Sequence, residues 1–310
     1  MILVTGATGT VGARLVHGLL ERGHRVRGLV LPGDPFRERL AGLDCEIVEG
    51  DITRADTLAG VCQEVDTVYH LAAVILSGDP AVFERVNTEG TRNMLAEAAA
   101  AGVEHFIYVS SASVVYPWST AYSRSKRECE RLVRARRNMS ATIVRPTLVY
   151  ERDGGQEFEL FMRYLKMFPV VPFIGDGRAL KNPVHADDLM AGLLSLAGCR
   201  QSHGKTYSFC GGEEISIGQL ARLMLEQQGR RKSFVHLPVW FCKAIALASG
   251  LVMKNPPLTL SAIAGITQNA NLDSSSARQD LGYSPVGVRE GLPRCFLMRN
   301  ERRSDESCAE

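Results

Sequence analysis

The stretch Met1-Ile2-Leu3-Val4-Thr5-Gly6-Ala7-Thr8-Gly9-Thr10-Val11-Gly12 decides the fold. Ile2 to Thr5 is a short apolar run of the kind that forms a buried strand. It runs into three glycines spaced G-x-x-G-x-x-G, and the residues that follow, Ala13 to Leu20, carry a helical pattern. One glycine permits a tight turn, and another lets backbone N–H groups approach a ligand with no Cβ in the way. A helix that starts there offers unpaired N–H groups and the positive end of its dipole, which favour a phosphate. Strand, glycine turn and helix in this order cradle the pyrophosphate of a dinucleotide. Gly6, Gly9 and Gly12, with Thr8, Thr10 and Val11 among them, are therefore cofactor-binding candidates.

Outward from this turn, short β-branched runs alternate with helical patterns. Strands are expected at Ile2–Thr5, Val26–Leu31, Cys45–Glu49, Thr67–Leu71, His105–Ser110 and Thr142–Arg145, and helices at Val11–Arg22, Val82–Ala101 and Ala121–Arg136. That alternation predicts an α/β fold: a Rossmann-type, doubly wound parallel sheet with helices on both faces. From about Glu151 the rhythm changes to helices mixed with isolated strands, beginning with an amphipathic stretch that ends at Pro169. The expected organisation is a NAD(P)-binding domain over residues 1–150, rejoined by chain from about 180–210. A smaller, mixed, mainly substrate-binding lobe follows over 151–298, and then a polar tail over 299–310.

Composition narrows the class. Of 310 residues, 45% are hydrophobic and 23% charged, as in a globular enzyme and unlike a disordered chain. A net charge of +2 with no basic stripe excludes a nucleic-acid footprint. Eight cysteines form no C-x-x-C pair, so no metal site is signalled; reduced thiols suit a cytoplasmic protein. The N-terminal run reads as a strand rather than a signal peptide. Leu237 to Met253 is the most apolar later stretch, but it is short for a membrane span and contains Lys243. It is read first as a buried or pocket-capping helix, with an interfacial membrane contact as the lesser alternative.

The end of the second strand normally carries an acid that binds the adenosine ribose of NAD. Val30 and Leu31 stand there instead, Asp34 comes later, and Arg37 and Arg39 lie close by. The cofactor is therefore NAD or NADP, with the choice open.

The motifs TGATGTVG, GDI, HLAA, VSSAS, YSRSK, VRPTLVY and PVHADD occur in an order that resembles the extended short-chain dehydrogenases/reductases of the NAD-dependent epimerase/dehydratase family. The resemblance runs from Met1 to about Gly282. It implies reversible hydride transfer at a secondary alcohol or ketone. Tyr122 would be the general acid/base, Lys126 would tune it and hold the nicotinamide ribose, and Ser111 would orient the substrate. Tyr122 and Lys126 are four residues apart, so on a helix they share a face. A free phenol titrates near 10, too high for a base at neutral pH, and a nearby ammonium favours the phenolate. The resemblance further implies that Asp51 and Ile52 flank the adenine and that Leu71, Ala72 and Ala73 line the dinucleotide. It places Asn87 on the central helix and the Pro146 backbone at the nicotinamide. His70 is read as the end of a buried strand and His185 as a turn support.

Three features depart from the sugar-nucleotide pattern. Only eleven positions separate Ser111 from Tyr122, Leu148 stands where a substrate-binding asparagine is usual, and Lys181 replaces a phosphate-binding arginine. A diphosphate needs several cationic or N–H donors to offset its desolvation. A nucleotide sugar held by Lys181 is the first expectation for the small-molecule substrate. An apolar alcohol or ketone, as in the hydroxysteroid dehydrogenase and dihydroflavonol reductase branch, is the alternative. A third reading is a non-catalytic NAD(P)H-binding subunit similar to the accessory subunit of respiratory complex I. Family resemblance also suggests a homodimer.

Overall fold

A computed structural model describes residues 1–152, 155–253 and 258–296. Seven parallel strands form its central sheet. They are β1 (Ile2–Thr5), β2 (Val26–Val30), β3 (Glu46–Glu49), β4 (Thr67–His70), β5 (His105–Val109), β6 (Ser140–Pro146) and β8 (Thr206–Phe209). Every residue of β1 and β2 is buried, as in strands covered on both faces; the one charged residue, Arg27 in β2, donates to the Val61 and Gln63 carbonyls. The spatial order is β8-β6-β5-β4-β1-β2-β3, so the winding reverses between β1 and β4. In such sheets the crevice beyond the carboxyl ends of the strands at the reversal is where ligands bind.

Helix α1 (Thr10–Glu21) covers one face, packing Leu15, Val16 and Leu19 with Leu189 and Leu193 of α5 (Ala186–Leu194). On the other face, Met94, Leu95 and Ala98 of α2 (Gly90–Ala100) share a core with Cys129 and Val133 of α3 (Ala121–Ala135). The helix expected from Val82 does not run as one regular α-helix. A π-helical turn over Phe83–Glu89 precedes α2 and buries Asn87. β8, for which the sequence reading gave no strand bounds, completes the sheet by pairing Thr206–Phe209 with Ile143–Pro146.

A further core gathers mainly residues beyond 150. Phe158 and Leu165 of α4 (Gln156–Met167), Val171 and Phe173 of β7 (Val171–Ile174), and Leu220 and Met224 of α6 (Ile217–Glu226) pack together. β7 pairs in parallel with β9 (Phe234–Leu237). Helix α7 (Val239–Val252) then buries Cys242 and Ala246 against Ile174 and against Ile263 of α8 (Leu260–Thr267). The expectation of a buried or capping helix is only half met by α7. Trp240, Leu247 and Val252 are 71%, 59% and 87% exposed. The expected polar tail lies outside the described residues from 297 onward.

Candidate active site

At the β1–α1 turn, Gly6 has φ 68°, the left-handed region that glycine tolerates. A Cβ on Gly6 would lie 2.9 Å from the backbone nitrogen of Ala72, and one on Gly12 would lie 2.0 Å from the Gly6 carbonyl oxygen. The turn therefore closes only with glycine, against the chain leaving β4. Thr5 Oγ1 fixes that neighbour, accepting from the Ala72 N–H at 3.2 Å and bonding His70 Nδ1 at 2.8 Å. Gly9 caps α1 without a side-chain acceptor, and no acid occupies the first turn, so its N–H groups are left for a phosphate. These residues fit a dinucleotide, which when bound supplies the hydride acceptor or donor.

Thr8 is buried and its hydroxyl donates to Asp34 Oδ2 at 2.6 Å, while Arg39 donates to the Thr8 carbonyl at 3.0 Å. Arg39 also lies over the Phe36 ring, 4.4 Å from its centroid. Thr10 is exposed and Val11 half-buried beside it. Leu31, at the end of β2, is exposed, and the nearest acid, Asp34, is committed to the turn. The parts of Asp34 and Arg39 in holding the turn left no mark in the sequence beyond their proximity.

Asp51 Oδ1 accepts from the N–H and hydroxyl of Thr53, both at 2.8 Å, and Ile52 is buried against Gly90. Leu71, Ala72 and Ala73 lie half-buried along the crevice, and Pro146 ends β6 beside Phe209. Asn87 has a holding role. Its Oδ1 accepts from the Val74 N–H at 2.8 Å, and its Nδ2 donates to the Val74 carbonyl at 3.0 Å and to Ser125 Oγ at 3.1 Å. It thereby fastens the segment after β4 to α3.

A capping box starts α3. Thr120 Oγ1 accepts from the Ser123 N–H at 3.1 Å, and Ser123 Oγ accepts from the Thr120 N–H at 2.8 Å. Tyr122 is thus in the first turn and Lys126 one turn on. Glu130, a turn further, is buried and accepts from Ser110 Oγ at 2.7 Å and from Arg145 at 2.8 and 2.7 Å, which ties α3 to the sheet. Lys126 is buried, donates to the Val109 carbonyl at 2.7 Å, and lies 4.7 Å from the Tyr108 ring centroid. Burial pushes its pKa down to about 8. Tyr122 is half-buried, with its ring 5.9 Å from that of Phe83. Its phenol is pushed above its ordinary value, first by burial and then by the negative charge of Glu157; a hydrogen bond with Ser111 opposes both. Ser111 Oγ also accepts from the Ser113 N–H at 3.1 Å. Lys126 is thus held by a backbone carbonyl, and the chain's own environment favours the protonated phenol.

On the substrate side, Leu148 is half-buried and joins the core of the smaller lobe. Lys181 is buried, its ammonium donates to the Gln268 carbonyl, and it lies 5.4 Å from the Tyr116 ring centroid. Burial pushes Lys181 down to about 8, opposed by Glu157. Arg178 is exposed beside Asp176. Sequence reasoning missed Gln268, whose amide accepts from the Trp118 N–H at 2.7 Å and donates to the Trp118 carbonyl at 3.1 Å. This pair fastens the segment leading into Tyr122 to the smaller lobe. His70 ends β4 buried between Thr5 and Thr91, with its pKa pushed down to about 3 by burial. His185 caps α5 by accepting from the Asp187 N–H.

The profile of the NAD dependent epimerase/dehydratase family matches residues 2–210. The chain belongs to this family. It is an NAD(P)-dependent enzyme of the short-chain dehydrogenase/reductase type. A 3 beta-hydroxysteroid dehydrogenase/Delta 5-->4-isomerase of Mycobacterium tuberculosis is 28% identical over 99% of this chain and 95% of its own length. A ceramide reductase of Caulobacter vibrioides is 34% identical over 64% of this chain and 61% of its own. The crystal structure of gox2253 superposes with a TM-score of 0.78 at 29% identity, over 97% of this chain and 98% of that one. Among the described residues, no helix is long and apolar enough to cross a membrane.

Proposed function

We propose that the enzyme transfers a hydride reversibly between NAD(P) and a secondary alcohol or ketone on an apolar substrate, with Tyr122 as general acid/base. The reading is supported by the hydrogen bond between Tyr122 and Ser111, just beyond β5, and by the anchoring of Lys126, one turn further along α3, on the Val109 carbonyl at the end of β5. In the reducing direction, the Tyr122 hydroxyl donates its proton to the carbonyl oxygen as the hydride reaches the carbon. In the oxidising direction the phenolate takes the alcohol proton back. Ser111 would hold the same oxygen by a hydrogen bond, and Lys126, anchored on the Val109 carbonyl one helical turn beyond Tyr122, would hold the nicotinamide ribose and tune the phenol.

Lys181 was the expected phosphate contact for a nucleotide sugar, but its ammonium is already engaged by the Gln268 carbonyl. The ammonium keeps two further N–H donors, but it is one buried cation, and a diphosphate needs several donors to offset its desolvation. Support therefore moves to the apolar alternative, in line with relatives named for a hydroxysteroid and a ceramide. The test is nicotinamide reduction by the enzyme with hydroxysterols and long-chain secondary alcohols, compared with UDP- and dTDP-sugars. Turnover confined to the apolar set is expected. Turnover of a nucleotide sugar alone would overturn the substrate assignment while leaving Tyr122 in place.

A further inference from the structure

We propose that the outer face of α7 is a docking surface for an anionic lipid bilayer, on which the smaller lobe lies without crossing. The inference goes beyond the reading above and does not depend on Tyr122. Of the α7 side chains, Trp240 is 71% exposed, Leu247 59%, Val252 87%, and Phe241 and Ile245 42% each. Side chains of this size left in water on one helix mark a surface with a partner. The one charged residue in the helix, Lys243, is turned to the protein, with its ammonium 3.2 Å from the Trp118 ring centroid. Fourteen residues make a helix about 21 Å long, which is short of the hydrocarbon thickness, so it lies on the bilayer.

Charge complementarity selects the occupant. From residue 227 to residue 272 the chain has no Asp or Glu and five Lys or Arg, although the whole chain is nearly balanced at +2. Arg230 and Arg231 are exposed just before β9. Lys232 fixes that basic run beside the end of α4, donating to the carbonyls of Leu165, Lys166 and Phe168 at 2.9, 2.9 and 2.6 Å. Met167, 68% exposed, and Val170, 46% exposed, extend the apolar surface there. A second copy of the chain fits less well. A two-fold interface matches a patch to itself, and this one would bring basic residues together with no acid in the segment to pair them. An anionic headgroup layer would pair the exposed Arg230 and Arg231, and Trp240 suits the interface between headgroups and chains. Through Trp118, α7 adjoins the segment leading into Tyr122, so docking would turn the substrate side toward the lipid.

Flotation of the full-length chain with phosphatidylcholine vesicles, with and without phosphatidylglycerol, tests this. The chain is expected to float with the phosphatidylglycerol vesicles at low salt and to be released several-fold by raising the salt. Trp240→Glu combined with Leu247→Glu should lower partitioning at least tenfold, with dinucleotide affinity unchanged to show that the fold is intact. Arg230→Glu combined with Arg231→Glu should weaken binding to the anionic vesicles while keeping the apolar face. A wild-type chain that stays in the soluble fraction with both vesicle types overturns the proposal. So does a dimer in sedimentation that the Trp240→Glu, Leu247→Glu chain converts to monomer without any vesicle binding.

Discussion

Burial sets the charge of the groups on the inner side of α3. Lys126 titrates near 8 when folded and near its ordinary 10.5 when unfolded. Between those values the unfolded chain binds a proton that the folded chain lacks, so stability rises as pH increases through this window. Lys181, also near 8, adds to the same slope. Urea unfolding followed from about pH 8 upward should show this rise, and Lys126→Met should flatten it; an unchanged slope would refute the burial argument. Activity should move the opposite way, falling as Lys126 loses its proton above about 8. The four-residue spacing of Tyr122 and Lys126 was legible because helical periodicity shows directly in sequence. That the lysine is held by the Val109 carbonyl was not, because a backbone acceptor on another strand carries no signature.

Among the elements, the β1–turn–α1 unit could be read from twelve residues because steric exclusion of a Cβ leaves glycine at fixed positions. Gly12→Ala should cost about 1–3 kcal/mol as the new methyl meets the Gly6 carbonyl oxygen. Thermal unfolding together with dinucleotide titration would measure it, and an unperturbed affinity would contradict the close approach. The central strands were visible as apolar runs because both faces of the sheet are covered. β8 was expected only as chain returning from about 180–210, without strand bounds, since its pairing with β6 joins segments about sixty residues apart and edge placement depends on tertiary packing. The π-helical turn over Phe83–Glu89 was equally hidden, being set by where Asn87 must reach. Asn87→Leu removes both Val74 bonds and the Ser125 contact, and should destabilise by about 1–3 kcal/mol. Chemical denaturation would show it, and a neutral effect would mean the segment after β4 is held elsewhere.

At the scale of the molecule, two lobes meet along the path into Tyr122, and Gln268 joins them through both backbone polar groups of Trp118. Gln268→Ala should raise KM for the alcohol several-fold while dinucleotide affinity is kept; a change in dinucleotide affinity instead would show that the link serves the other lobe. The substrate side was hard to read from sequence, because Lys181 reads as a phosphate contact until its burial and its bond to the Gln268 carbonyl are seen. The most direct test of the whole account is Tyr122→Phe, measured for dinucleotide affinity and for turnover of an apolar secondary alcohol. The variant should bind the dinucleotide as the wild type does and turn over at least about a hundredfold more slowly. Turnover equal to wild type would contradict the role of this phenol.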